Sequence, residues 1–314
     1  MKKKNLGVYA AIASAVFLGL NPIFGKHSLL AGFTPLTVVT LRTAGAALLL
    51  FVVMFFFKRK YLFIYPVGLI GCLLAGFING AGSILYYTAL ARLDASIAHL
   101  LYSFYPLFLV LWQLLDSQHI HKTTLIRLVV STIGVVLLVS AGGQRLDMLG
   151  ALLMIGSAIL YALHLLINQR VLYEVPAPTV TLYTLLSMTL TVTIAYILFD
   201  RQLPLLTYAW WPIIGMTLFT FASRLTLFLG IKHLGSVQTA MLGLGELLVT
   251  VLVAVIWLGD QLYWSQWLGA AMLAISLLLV AFDQPPQEKP KPARFLAWLN
   301  PPQVDKDIPW RSQP

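Results

Sequence analysis

The sequence predicts an all-α integral membrane protein of about ten transmembrane helices arranged as two inverted five-helix repeats. Three observations carry this: composition, the length of the apolar runs, and an internal repeat. Of 314 residues, 59% are hydrophobic and 10% charged, whereas a soluble domain carries about 25% charged residues to keep its surface in water. The apolar residues come in runs of roughly 17–25, enough for a helix rising ~1.5 Å per residue to cross a ~30 Å hydrocarbon layer. Leu6, Gly7, Ile12, Ser14, Ala15, Leu20 and Pro35 recur 143 positions later as Leu149, Gly150, Ile155, Ser157, Ala158, Leu163 and Pro178, which points to two related halves.

Each run is stopped by a charge, a proline or a glycine cluster. Met1 to Lys4 leads into a first span, 7–25; cleavage after Ala13-Ser14-Ala15 would leave too short an apolar stretch, so an uncleaved span is expected rather than a signal peptide. Spans 35–57, 64–90, 95–115 and 123–140 complete the first repeat, residues 1–142. Spans 148–169, 178–199, 208–231, 236–258 and 264–282 form the second, residues 143–283. Residues 284–314, charged and rich in proline, cannot bury a core and read as a disordered tail.

Lys and Arg favour the cytoplasmic side of short loops. With the N-terminus inside, Lys2 to Lys4, Lys58 to Lys60, Lys122, Arg127, Arg170, Lys232 and the basic tail all fall inside. Only Lys26, Arg92, Arg145 and Arg201 fall outside, so both termini are expected in the cytoplasm of an inner or plasma membrane protein. Five spans is an odd number, so a second five-span unit enters from the opposite face. Such inverted repeats are a recurring basis for alternating access around a midplane site.

The net charge of +10 does not suggest a nucleic-acid partner, because the basic residues punctuate the apolar runs instead of forming one face. A single cysteine, Cys72, excludes an intrachain disulfide or a cysteine-rich metal site. Asp116, His119 and His121 are metal-ligand types, but they lie in a loop without a fourth ligand and read as solvated. No cofactor is expected. Hydrolase and phosphate-loop motifs are absent, and the connections leave no room for a catalytic domain, so the chain does not read as an enzyme. The expected partners are a small-molecule substrate and the lipid bilayer; a homodimer stays open.

Tyr86-Tyr87-Thr88-Ala89-Leu90, running on through Ala95-Ser96 to Pro106, together with the five-plus-five pattern, resembles the drug/metabolite transporter superfamily and its ten-span EamA-type members over residues 6–282. Arg42 stands where such proteins often carry an arginine, and Glu246 where they often carry a glutamate. The proline that usually follows is Leu247 here, and the Gly-Glu pair that often ends the fourth span is replaced by Asp116 and His119. The resemblance implies a basket of ten helices around a central cavity walled largely by spans 1, 3, 4, 6, 8 and 9, with spans 5 and 10 peripheral. It is silent on the substrate.

A charge at bilayer depth costs at least ~2.5–3.5 kcal/mol, so it usually faces a cavity or a partner. Counting along their helices places Glu246 about 15 Å and Arg224 about 12 Å from the same surface. They either pair structurally or meet a solute: Glu246 would attract an ammonium or take up a proton. Arg42, about 10 Å below the other surface, either caps or snorkels, or holds a carboxylate or phosphate bidentately. His99, Tyr102 and Tyr105 form one stripe in span 4, and Asn79, Ser83 and Tyr86 or Tyr87 another in span 3. His164 occupies the place of Asn21 in the repeat and lines a pathway mouth or makes a helix-helix hydrogen bond. Gly243 and Gly245 permit close packing or mark a weak point that exposes backbone.

The candidate binding set is therefore Arg42, Asn79, Ser83, Tyr87, His99, Tyr102, Tyr105, His164, Arg224 and Glu246. The expected function is a secondary transporter or facilitator of a small polar or zwitterionic, amino-acid-like metabolite, exporting by alternating access. The alternatives are an exporter of cationic drug-like compounds and a non-transporting membrane receptor or scaffold.

Overall fold

The computed structural model describes residues 2–93, 98, 101–116, 122–139, 147–200, 209–253 and 264–279. The first half contributes α1 (Lys2–Leu30), α2 (Pro35–Phe57), α3 (Pro66–Arg92), α4 (Tyr105–Leu115) and α5 (Lys122–Val139). The second contributes α6 (Met148–Leu172), α7 (Ala177–Phe199), α8 (Trp211–Leu234), α9 (Ser236–Gly243), α10 (Gly245–Val253) and α11 (Trp264–Leu278). No strand occurs among the described residues. Helices α1, α2, α3, α6, α7 and α8 are each long and apolar enough to cross a membrane. His99 and the proline-rich tail lie outside the described residues.

The helices are apolar on both faces, as an all-lipid exterior requires. On α7, Leu182, Leu185, Met188 and Val192 are buried while Leu186, Leu190, Ile194 and Ile197 are exposed. With hydrocarbon outside, exposing leucine costs nothing, and the polar groups turn inward to satisfy one another. Helix ends follow local chemistry. Thr34 caps α2 by accepting from the Thr37 amide at 3.2 Å, with Pro35 at the first helical position. Asp147 caps α6 through Leu149 and Gly150, and α8 stops at Gly235, whose φ of 90° suits glycine.

The two halves pack by a reciprocal scheme. In the repeat, span 1 corresponds to span 6 and span 3 to span 8; α1 packs on α8, and α3 packs on α6. The match extends to single contacts. A Cβ at Gly7 would lie 2.8 Å from His233 Cβ and 2.9 Å from Leu234, while a Cβ at Gly150 would lie 2.8 Å from Leu93 and 3.4 Å from Arg92. Arg92 and Leu93 are the repeat counterparts of His233 and Leu234. Ser14 Oγ donates to the Ser223 carbonyl at 3.1 Å, and its counterpart Ser157 donates to Gly82, the counterpart of Ser223, at 2.7 Å. Small residues at these positions bring the helix backbones close, as membrane packing favours.

Helix α5 pairs with α11. Arg127 Nε donates to the Ser276 carbonyl at 3.0 Å and Ser276 Oγ to the Arg127 carbonyl at 3.1 Å. Arg127 is thus buried between these helices. The reason is that its guanidinium can satisfy a backbone carbonyl of the neighbouring helix.

Spans 4 and 9 are both broken, at corresponding residues. Span 9, expected as one helix over 236–258, turns at Leu244 between α9 and α10. The Leu244 amide bonds Met241 instead of Ala240, and Leu247 bonds Leu244. The freed Ala240 carbonyl accepts from Tyr105 Oη at 2.9 Å. Span 4 turns at Ser103-Phe104, where Phe104 bonds Leu101 and Leu107 bonds Phe104. Pro106 has no amide proton to give the Tyr102 carbonyl. Ser103 and Leu244 are repeat counterparts, so each half carries the same interruption.

Candidate functional site

Tyr102 and Glu246, which flank the two helix interruptions, line a cavity of about 60 Å³ between the helices. By the ~10–15 Å³ that one water needs, this is room for roughly four to six water-sized groups. Its wall comprises Leu18 and Asn21 from α1, Arg42 from α2, and Asn79, Gly82, Ser83, Tyr86 and Tyr87 from α3. Tyr102 of span 4, Ser157 and Tyr161 of α6, Arg224 of α8 and Glu246 of α10 complete it. Span 2 therefore joins the wall through Arg42, beyond the six spans that the resemblance implied.

The three deep charges converge here. Arg42 is 6% exposed, Arg224 6% and Glu246 4%. The Arg42 guanidinium lies 4.9 Å from the Tyr87 ring centroid, and its Nη1 donates to Thr220 Oγ1 at 3.4 Å. It does not snorkel outward, because Tyr87 and Thr220 receive it inside. Arg224 lies 5.7 Å from the Tyr161 ring centroid. Arg42 Nε and Arg224 Nε and Nη1 are buried without a hydrogen bond among the described residues, as is Asn21 Oδ1. Glu246 stands in the first turn of α10, where the helix N-terminus favours a negative group. A Cβ at Gly19 would fall 2.7 Å from the Glu246 carbonyl, so this glycine lets α1 reach the break.

The polar-aromatic stripes are packed together rather than merely adjacent. Tyr86 and Tyr102 ring centroids are 5.0 Å apart, Tyr102 and Tyr161 5.4 Å, and Tyr105 and Tyr161 5.1 Å. Offset and edge contacts of this kind prefer such separations. Asn79 Nδ2 reaches Met188 Sδ at 3.1 Å.

Two sequence candidates sit behind the wall. Tyr105 does not line the cavity; its hydroxyl is spent on Ala240. His164 is fully buried, with Nδ1 3.0 Å from the Ala75 carbonyl and 3.0 Å from Asn168 Nδ2. It makes the helix-helix hydrogen bond. Tyr161, absent from the sequence candidates, faces the cavity. Its signal was the run Ser157, Tyr161, His164 and Asn168, which recurs at helical spacing on one face of α6.

Below the cavity, toward Lys232, the described residues pack closely and pair their polar groups. Every residue of α9 is buried. Gln113 donates to Gln169 at 3.5 Å and to Ser236 at 3.3 Å, and Ser236 Oγ also bonds Gln169. Arg170 and Asp116 form an ion pair with 3% and 0% side-chain exposure. At the opposite end the Arg92 to Asp147 pair is exposed, 46% and 34%. There the Arg92 guanidinium holds the Asp147 carboxyl below the usual carboxylate range, but such exposed pairs contribute little to stability.

The model of the EamA-like transporter family matches residues 5–140 and again 148–282. No curated protein matches the chain. Among 29 matching solved chains, one described only as a crystal structure of a protein superposes with a TM-score of 0.73 at 15% identity, covering 90% of this chain and 98% of that one. At that identity the likeness concerns the fold alone. Two successive family matches, spanning the two halves that pack reciprocally around the cavity, make the assignment: the chain belongs to the EamA-like transporter family.

Proposed function

We propose that the protein is a secondary carrier or facilitator that moves a small zwitterionic, amino-acid-like metabolite outward across the cell membrane by alternating access. One observation carries the reading: two guanidiniums and a carboxylate converge on one tyrosine-lined cavity walled by both halves. The solute's carboxylate would take the free guanidinium N–H groups in charge-assisted bonds. Its ammonium would face Glu246 and the tyrosine rings. The cavity, about 60 Å³, is far smaller than the pockets of about 300–1,000 Å³ that hold drug-sized ligands, which supports a small metabolite over a drug-sized cation.

Both termini are cytoplasmic in this proposal, so the closely packed Lys232 end faces the cytoplasm, which supports a state closed to the inside. The halves rock about the cavity to open it, as inverted repeats do elsewhere.

Counterflow in proteoliposomes tests the reading. A panel of amino acids, nucleosides and cationic drugs should yield exchange of amino acids, with Arg42→Ala and Glu246→Gln each lowering it at least tenfold. Export of cationic drugs predicts instead that Glu246→Gln abolishes exchange while Arg42→Ala spares it. Exchange of no solute by folded protein would favour a receptor or scaffold.

A further inference from the structure

We infer that the solute carries a second acidic group, making it an amino dicarboxylate of the aspartate or glutamate type; this rests on the carrier reading above. Among the described residues, the cavity wall holds two guanidiniums, Arg42 and Arg224, against one carboxylate, Glu246, a formal excess of one positive charge. A neutral zwitterion would leave that excess buried and uncompensated, which a site at bilayer depth opposes. A solute with two carboxylates and one ammonium cancels it.

The geometry provides separate seats. Arg42 is held at Tyr87, on α3, and Arg224 at Tyr161, on α6, so the two guanidiniums are fixed by different helices. Each retains buried N–H groups without an acceptor among the described residues: Nε on Arg42, and Nε and Nη1 on Arg224. A single carboxylate can accept a bidentate pair from one guanidinium; two guanidiniums call for two. Glu246, supported by the N-terminus of α10, provides the counter-charge for the ammonium. The limited room, about 60 Å³, disfavours a long or branched chain between the acids, and the cavity widens to admit even the shortest amino dicarboxylates.

The test is counterflow by the full chain in proteoliposomes with labelled aspartate, glutamate, serine, leucine, succinate and lysine. Aspartate or glutamate should exchange at least tenfold faster than serine, leucine or lysine, and succinate, lacking the ammonium, should exchange poorly. Equal or faster exchange of serine or leucine would overturn the second acidic group while leaving the carrier reading standing. Succinate matching aspartate would overturn the ammonium requirement. Exchange of nothing would overturn both readings. Arg42→Gln supplies the second readout: the ratio of acidic to neutral exchange should fall at least tenfold. Equal loss for all solutes would mean a structural role for Arg42 and contradict the inference.

Discussion

Arg42 and His164 illustrate how differently two polar residues in apolar runs are used. Both were legible as expensive residues, yet sequence alone left each with two readings. The structure separates them by what surrounds them: Arg42 lines a cavity and keeps an N–H without an acceptor among the described residues, while His164 is consumed by Ala75 and Asn168. Helical counting gives depth but not rotation about the helix axis, and rotation decides which of two stripes meets the cavity. Tyr105 was indistinguishable from Tyr102 for that reason. His164→Ala should therefore act on stability. We expect a loss of about 1–3 kcal/mol, the cost of leaving buried groups unpaired, read as a lowered unfolding midpoint in detergent, with KM within twofold of the parent. A tenfold rise in KM with unchanged stability would return His164 to the binding site.

At the scale of the element, the interruption of span 9 matters most. Gly243 and Gly245 flagged it in the sequence as close packing or as a weak point; the helix does break there, but the released carbonyl goes to Tyr105 and does not face the cavity. A Cβ at Gly243 would lie 2.3 Å from Tyr105 Oη, and the same hydroxyl bonds the carbonyl that the break releases. The interruption of span 4 at Ser103 carried no glycine and was not read. Pro106 was visible only as part of the family pattern. The packing of Gly243 against Tyr105 predicts coupling between them. Gly243→Ala should destabilise through the clash, Tyr105→Phe through the lost bond, and the double variant by less than the two together. A double-mutant cycle on unfolding free energy should give a coupling of about 0.5–3 kcal/mol. Simple additivity would contradict the contact.

At the scale of the molecule, the offset of 143 residues anticipated an arrangement in which Ser14 and Ser157, or Gly7 and Gly150, do the same work in opposite halves. These matches were legible because helix contacts require small residues at fixed spacing. The asymmetric features were not, because ion pairs such as Asp116 to Arg170 join spans 4 and 6 through rotations and tilts that no periodicity encodes. That pair predicts a latch on the Lys232 end. Arg170→Ala should leave Asp116 buried without it, at a cost of about 3–5 kcal/mol, and raise solute-independent thiol labelling of a Ser83→Cys variant from the Lys232 end.

Alternating access through the cavity is tested most directly at Ser83, which lines it. Ser83→Cys in a Cys72→Ser background would be labelled in oriented vesicles with a membrane-impermeant thiol reagent applied to one side at a time. The carrier should label from each side, with saturating solute on the trans side shifting the balance between them and bound solute protecting the site. Labelling from one side only, indifferent to every solute that exchanges, would contradict it.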